Sequence, residues 1–163
     1  QGHDLRSAEK NLQLYHQLSG RAGRTGEAAK VYFQTYNLKS QSIDQITNQD
    51  PFIFLEKELL LRKDNNLPPY ERFISLILSS ENQKKLEEES QKLKKILINK
   101  ITAKILGPVN APIYKIKKRF RVRLLIRSKK TGNVQKSLSL ILENFKLSKG
   151  IKLTVDVDPI SFN

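Results

Sequence analysis

Cysteine, methionine and tryptophan are absent from this chain of 163 residues, and histidine occurs only as His3 and His16. Without cysteine there is no disulfide and no thiolate metal site, which fits a reducing cytosol. No run approaches the 18 or so apolar residues of a membrane span, so the sequence reads as soluble, with no membrane among its partners. A G-x-x-x-x-G-K-[ST] phosphate loop and an acidic magnesium motif are missing too, so the main cradle for a nucleoside triphosphate is not encoded. The chain opens on Gln1 with neither a charged nor an apolar leader region, and reads as the C-terminal piece of a longer protein. Acidic residues are also missing between Lys104 and Lys130. Ten Lys or Arg fall in that interval, against a formal net charge of +14 for the whole chain. A basic stripe this local suits a polyanion or an acidic peptide better than it suits mere solubility.

Apolar residues make up 38% of the chain, enough for a core. The densest signal is Gln17-Leu18-Ser19-Gly20-Arg21-Ala22-Gly23-Arg24, a Q-x-x-G-R-x-G-R pattern. Five fixed positions arise by chance in on the order of one window per million. Glycines at 20 and 23 remove side chains that would block close approach, and the forks of Arg21 and Arg24 match phosphate geometry. Arg24 is read as an arginine finger that stabilises charge on a γ-phosphoryl group, with Arg21 beside it and Gln17, Gly20 and Gly23 supporting the ATP site. The competing reading is a basic turn capping a helix. His16 lacks a partner carboxylate in register and reads as a packing or capping residue.

Residues 4–19 carry helical periodicity through Leu5, Ala8, Leu12, Tyr15 and Leu18, with Asp4 as cap and a stop at Gly20. A glycine-rich loop then leads into a strand at Val31–Tyr36; the aromatics Tyr15, Tyr32, Phe33 and Tyr36 read as core, with base stacking as the alternative. A polar linker with a short helix near Ile43 precedes a helix capped by Asp50 and opened by Pro51, with Phe52, Leu55, Leu59 and Leu60 as its apolar set; it ends before Leu67-Pro68-Pro69-Tyr70. From Phe73 the order is strand (Phe73–Ser79), helix (Asn82–Ile101), strand (Lys104 towards Lys117, interrupted at Gly107-Pro108), strand (Arg119–Arg127), helix (Asn133–Phe145) and strand (Ile151–Val157). That βαββαβ order predicts two helices on one face of a four-stranded antiparallel sheet, a ferredoxin-like plan. Glu87, Glu88 and Glu89 read as a solvated helix face, with Glu88 placed to pair with Lys92. Asp156 and Asp158 lack further metal ligands and read as a strand-end turn contact.

In the strand Arg119–Arg127, alternation sends Phe120, Val122, Leu124 and Ile126 to a core and Arg119, Arg121, Arg123 and Arg127 to the other face. With Lys115, Lys117, Lys118, Lys129 and Lys130 nearby, that face reads either as a surface that tracks a DNA backbone, with Arg121, Arg127 and the five lysines as contacts, or as a dock for an acidic peptide.

The Q-x-x-G-R-x-G-R segment resembles the sixth conserved motif of superfamily 2 helicases, which lies in the second RecA-like lobe. Leu67-Pro68-Pro69-Tyr70, Leu106-Gly107-Pro108-Val109-Asn110-Ala111-Pro112 and Asp156-Val157-Asp158-Pro159 occur in the order and at about the spacing of the bacterial replication-restart helicases, the primosomal protein N′ family. The resemblance covers nearly the whole chain. It implies residues 1–40 as the end of a RecA-like lobe (α/β), 41–70 as linker and connecting helix, and 71–163 as a basic α+β C-terminal domain of ribosomal-protein-like type. It further implies an ATP-dependent 3′-to-5′ DNA helicase that restarts stalled forks in the bacterial cytoplasm, at the nucleoid, using ATP and magnesium. The family's zinc-binding, cysteine-rich module has no counterpart here. Implied partners are forked and single-stranded DNA, other primosome proteins, and the acidic tail of single-stranded-DNA-binding protein, for which Arg119 and Arg123 are the candidate contacts. The chain alone is expected not to turn over ATP. The rival is a free-standing nucleic-acid-binding or ribosome-associated module, for which the βαββαβ order and the charge suffice but the helicase motif has no use.

Overall fold

A computed structural model describes residues 6–22, 30–32, 34 and 50–159, and the chain divides into two compact units, Gln1–Leu61 and Arg62–Asn163. In the first, α1 (Ser7–Ala22) opens with Arg6 Nε donating to Glu9 Oε2 at 2.9 Å. Leu12 is buried and Tyr15 half-buried on the expected face, but Leu18 is exposed. The helix does not stop at Gly20. It continues through Gly20 and Arg21 to Ala22, because an established helix absorbs the roughly 1 kcal/mol a glycine costs, and a terminal arginine complements the helix dipole. The expected strand at Val31–Tyr36 is not formed where it is described: residues 30–32 and 34 carry no ladder, and Tyr32 is 86% exposed, not core. An aromatic, β-branched run needs a neighbouring strand to pair with, and among the described residues none pairs with it. Asp4, Phe33, Tyr36 and the linker near Ile43 lie outside the described residues.

Helix α2 (Pro51–Asp64) runs across the division between the units. Asp50 Oδ1 accepts the Phe52 N–H at 2.9 Å and the Asp50 carbonyl accepts those of Ile53 and Phe54, which is the cap the sequence predicts. The buried apolar residue is Phe54, however, while Phe52, Leu55, Leu59 and Leu60 are exposed. Seven of its first eleven residues are apolar, so periodicity cannot single out a face.

The second unit follows the predicted order: β1 (Glu71–Ser80), α3 (Gln83–Lys100), β2 (Lys104–Ile116), β3 (Arg119–Lys129), α4 (Val134–Asn144) and β4 (Lys152–Val157). The four strands form one sheet in the order β2-β3-β1-β4, with every pairing antiparallel. This is the connectivity of two split βαβ halves. On β1 the residues Ile74, Leu76 and Leu78 register with Ile126, Leu124 and Val122 of β3, and all six are buried in one cluster with Leu86, Leu93 and Leu97 of α3 and Val134, Leu138 and Ile141 of α4. Both helices therefore cover the same face. Asn82 caps α3 by accepting the Lys85 N–H at 3.0 Å. Where the sequence suggests a break at Gly107-Pro108, β2 instead passes through a bulge between Leu106 and Val109 and a second irregularity between Asn110 and Lys115. Gly107 has φ +92°, and a Cβ there would sit 2.6 Å from the Arg123 carbonyl oxygen, so only glycine fits this crossing.

One acidic residue of the expected solvated triplet is buried. Glu89 is 3% exposed; its carboxylate accepts the Ser148 N–H and hydroxyl, each at 3.0 Å, and lies 3.7 Å from Lys92 Nζ. It fixes the segment between α4 and β4 to α3, a role that belongs to a tertiary contact and is invisible to helix periodicity. Glu89→Ala leaves the Ser148 N–H without its acceptor and is expected to cost about 1–3 kcal/mol. Urea denaturation should show a lower midpoint at unchanged slope.

Candidate nucleic-acid interface

The helix-free face of the sheet carries the odd-numbered residues of β1 and β3. Reading across the ladder, Lys152, Ser79 and Arg121 form one rung, Thr154, Ile77, Arg123 and Val109 the next, then Asp156, Ser75, Leu125 and Leu106, then Phe73, Arg127 and Lys104. The alternation predicted for β3 holds: Val122, Leu124 and Ile126 are buried, while Arg119, Arg121, Arg123 and Arg127 lie half-buried on the open side.

Those arginines are engaged by the protein itself. Arg119 donates to the Ser79 carbonyl at 2.6 Å, the Gly150 carbonyl at 2.9 Å and Ser79 Oγ at 3.3 Å. Arg121 reaches the Ile113 carbonyl at 3.2 Å, inside the stretch of β2 where the ladder is irregular. Arg127 pairs with Glu71 Oε2 at 3.2 Å, donates to the carbonyls of Asn65 and Asn66, and lies 5.1 Å from the centre of the Phe73 ring. Arg123 stands in register with Ile77 and Val109, and burial lowers its pKa from the ordinary guanidinium value.

The exposed cations lie at the two ends of β3. Lys115, Lys117 and Lys118 gather at the β2–β3 hairpin, and Lys129 and Lys130 at the far end, about 30 Å away along the strand. At the far end a cleft of about 480 Å³ is lined by Lys104, Arg127, Lys129, Thr102 and Thr131, with one carboxylate, that of Glu71, among them. At the hairpin, Lys115 Nζ sits 4.5 Å from the centre of the Phe120 ring, which in turn packs on Tyr114 at 5.4 Å. Lys117 and Lys118 form the two-residue turn itself, with φ of 48° and 66°. A left-handed conformation costs an ordinary L-residue about 1–2 kcal/mol.

In α1, Gln17, Gly20 and Arg21 occupy positions i, i+3 and i+4 and are all exposed, so they share one open helix face. A Cβ at Gly20 would meet nothing within 4 Å. Gly23 and Arg24 lie outside the described residues. Asp158 makes the expected strand-end contact: its N–H donates to the Phe73 carbonyl at 2.7 Å, and its carboxylate accepts the Phe73 N–H and pairs with Arg72. Among the described residues no three His, Cys, Asp or Glu side chains are grouped to hold a metal ion, and no helix is long and apolar enough to cross a membrane.

Sequence reasoning missed Lys104 and Lys152, which the strand order brings to the open face, and the apolar centre formed by Ile77, Leu125, Leu106 and Val109. Alternation along β1 and β3 would have put Ile77 and Leu125 on that side; the placements of Lys104, Lys152, Leu106 and Val109 need the register.

The second unit is thus a βαββαβ domain with one face closed by helices and the other open, basic at both ends of its central strand. It belongs to the primosomal protein N C-terminal domain family, whose model matches residues 63–160. The chain is similar to the Replication restart protein PriA of Rickettsia felis, 36% identical over 98% of this chain and 24% of that protein. It is likewise similar to the proteins of that name from Bacillus subtilis (34% identical, 96% and 20%) and Synechocystis (34%, 98% and 19%). The chain thus spans from 19% to 24% of the length of these relatives.

Arg127→Ala removes the tie between β3 and the turn at Asn65–Asn66 and is expected to destabilise the second unit by about 1.5–3 kcal/mol. Thermal unfolding followed by circular dichroism checks this; an unchanged midpoint would return Arg127 to a purely ligand-facing role.

Proposed function

We propose that this chain is the C-terminal part of an ATP-dependent 3′-to-5′ DNA helicase that restarts stalled replication forks, contributing phosphate-facing arginines and a domain that binds DNA and partner proteins. The observation that carries this reading is similarity to Replication restart protein PriA along 98% of the chain, the Q-x-x-G-R-x-G-R segment included. In it, residues 1–40 end a RecA-like lobe, 41–70 connect, and 71–163 form the basic domain.

Gln17, Gly20 and Arg21 share an open helix face that an ATP phosphate tail can approach, and Arg24 supplies the finger. A glycine inside a helix with no neighbour to accommodate weakens that helix; close approach of a nucleotide supplies a reason for it. Bound ATP with magnesium furnishes the phosphoryl group to be cleaved. The chain's own residues offer planar donors to the phosphate oxygens, and its sequence encodes neither the phosphate loop nor the acidic magnesium motif, so the cradle comes from a lobe that carries them. Lys129 and Lys130, the cleft beside them and the hairpin lysines suit DNA phosphates, whereas Arg121 and Arg127 act more by holding the surface together. Arg123, set among Ile77 and Val109 with Arg119 on the same strand face, suits the acidic, aromatic-ended tail of single-stranded-DNA-binding protein.

In a full-length helicase carrying this segment, Arg24→Ala is expected to lower kcat by about 10³ or more with a much smaller change in ATP binding. An unchanged kcat would assign Arg24 to structure. The 163-residue chain alone should show no DNA-stimulated ATP hydrolysis. Its affinity for single-stranded DNA should fall with salt at a log-log slope near −3, as expected for about four neutralised phosphates; salt-independent binding would sink the DNA reading.

A further inference from the structure

We infer that the β2–β3 hairpin is a dedicated contact for single-stranded DNA, its tip built from two left-handed lysines that present both ammonium groups to one strand's phosphates. The inference rests on the DNA-binding reading above and assigns the contact within it.

The first argument comes from the turn. Ile116 pairs with Arg119, which leaves Lys117 and Lys118 as a two-residue loop, and both have positive φ. That is the arrangement a tight hairpin requires, and the residues that meet it without strain are Asn followed by Gly. Lysine has neither the short polar side chain of asparagine nor the freedom of glycine. Two lysines here therefore weaken the turn, and no contact among the described residues of the domain accounts for them. In the described structure both are exposed at the end of the hairpin.

The second argument concerns charge that remains available. Along β3 the guanidinium groups of Arg119, Arg121 and Arg127 are turned onto main-chain carbonyls of their own domain. The lysines at the tip sit beyond these ties. Phosphate affinity should therefore concentrate at the tip and at Lys129–Lys130, not along the arginine stripe that dominates the sequence.

The third argument selects single strands over duplex. Ile113 and Ile116 are 46% and 40% exposed beside the tip, and the half-buried Tyr114–Phe120 pair lies next to Lys115. Apolar and aromatic surface next to cations suits unstacked bases with their backbone, and a duplex hides those bases.

The test uses the full chain with a fluorescently labelled oligothymidine and a blunt duplex, titrated by anisotropy at several salt concentrations, with thermal unfolding in parallel. Lys117→Asn/Lys118→Gly should raise the melting temperature by a few degrees while weakening single-strand binding by about tenfold at low salt. It should also make the log-log salt slope shallower by about 1.4, the value for two lost phosphate contacts. Lys117→Arg/Lys118→Arg should bind like the parent. The same charge loss at the other end, Lys129→Gln/Lys130→Gln, should weaken binding less, and the duplex should bind more weakly than the single strand. A more stable turn variant that binds with undiminished affinity overturns the inference while leaving the DNA reading intact if Lys129→Gln/Lys130→Gln weakens binding. Equal losses at the two ends, or a duplex bound as tightly as the single strand, also overturn it. Absence of salt-sensitive binding by the parent chain overturns both.

Discussion

Guanidinium groups on β3 donating to main-chain carbonyls are the contacts on which the arrangement of the second unit depends. β3 lies between β1 and β2, and its ladder alone cannot secure what flanks it: the turn before β1, the segment before β4 and the irregular middle of β2. Arg127 takes the first through Asn65 and Asn66, Arg119 the second through Gly150, and Arg121 the third through Ile113. Each carbonyl would otherwise depend on water, and a planar fork that can donate in several directions satisfies more of them than a lysine would. The same choice of residue that makes the strand look like a ligand site thus serves the fold first.

The domain from Glu71 onward was legible because its signals are local and concordant: alternating strands, and helices with one apolar stripe. Six elements appear in the expected order, and the core residues on β3 are those that alternation selects. What escaped was everything set by register or by tertiary contact. Glu89 looks like any surface glutamate until Ser148 is placed against it. Leu106 and Lys104 cannot be assigned to a face without the bulge at Gly107. In the first unit, Val31 and Tyr32 carry strand propensity with no partner among the described residues, and α2 is too uniformly apolar to reveal a face. On the candidate site, the sequence located the charge correctly along β3 but not its distribution between side chains tied to the protein and side chains open to a ligand, since both kinds read simply as basic residues.

The two units present different surfaces. One presents Gly20 and Arg21 on the exposed face of α1. The other presents cations on a rigid sheet. Side chains on packed strands hold their spacing, because the packing locks their rotamers.

Asp158 fastens the end of β4 to the start of β1, because its N–H and carboxylate both meet Phe73 and its carboxylate also meets Arg72. The chain thus enters and leaves the domain at neighbouring points on two antiparallel strands. A mechanical load applied across those points acts on the hydrogen bonds one rung at a time, like a zipper, and meets the Asp158 clasp first. Heat or urea must instead disrupt the whole core at once. Resistance to pulling and resistance to melting are therefore separate properties of this domain, and the first begins at Asp158.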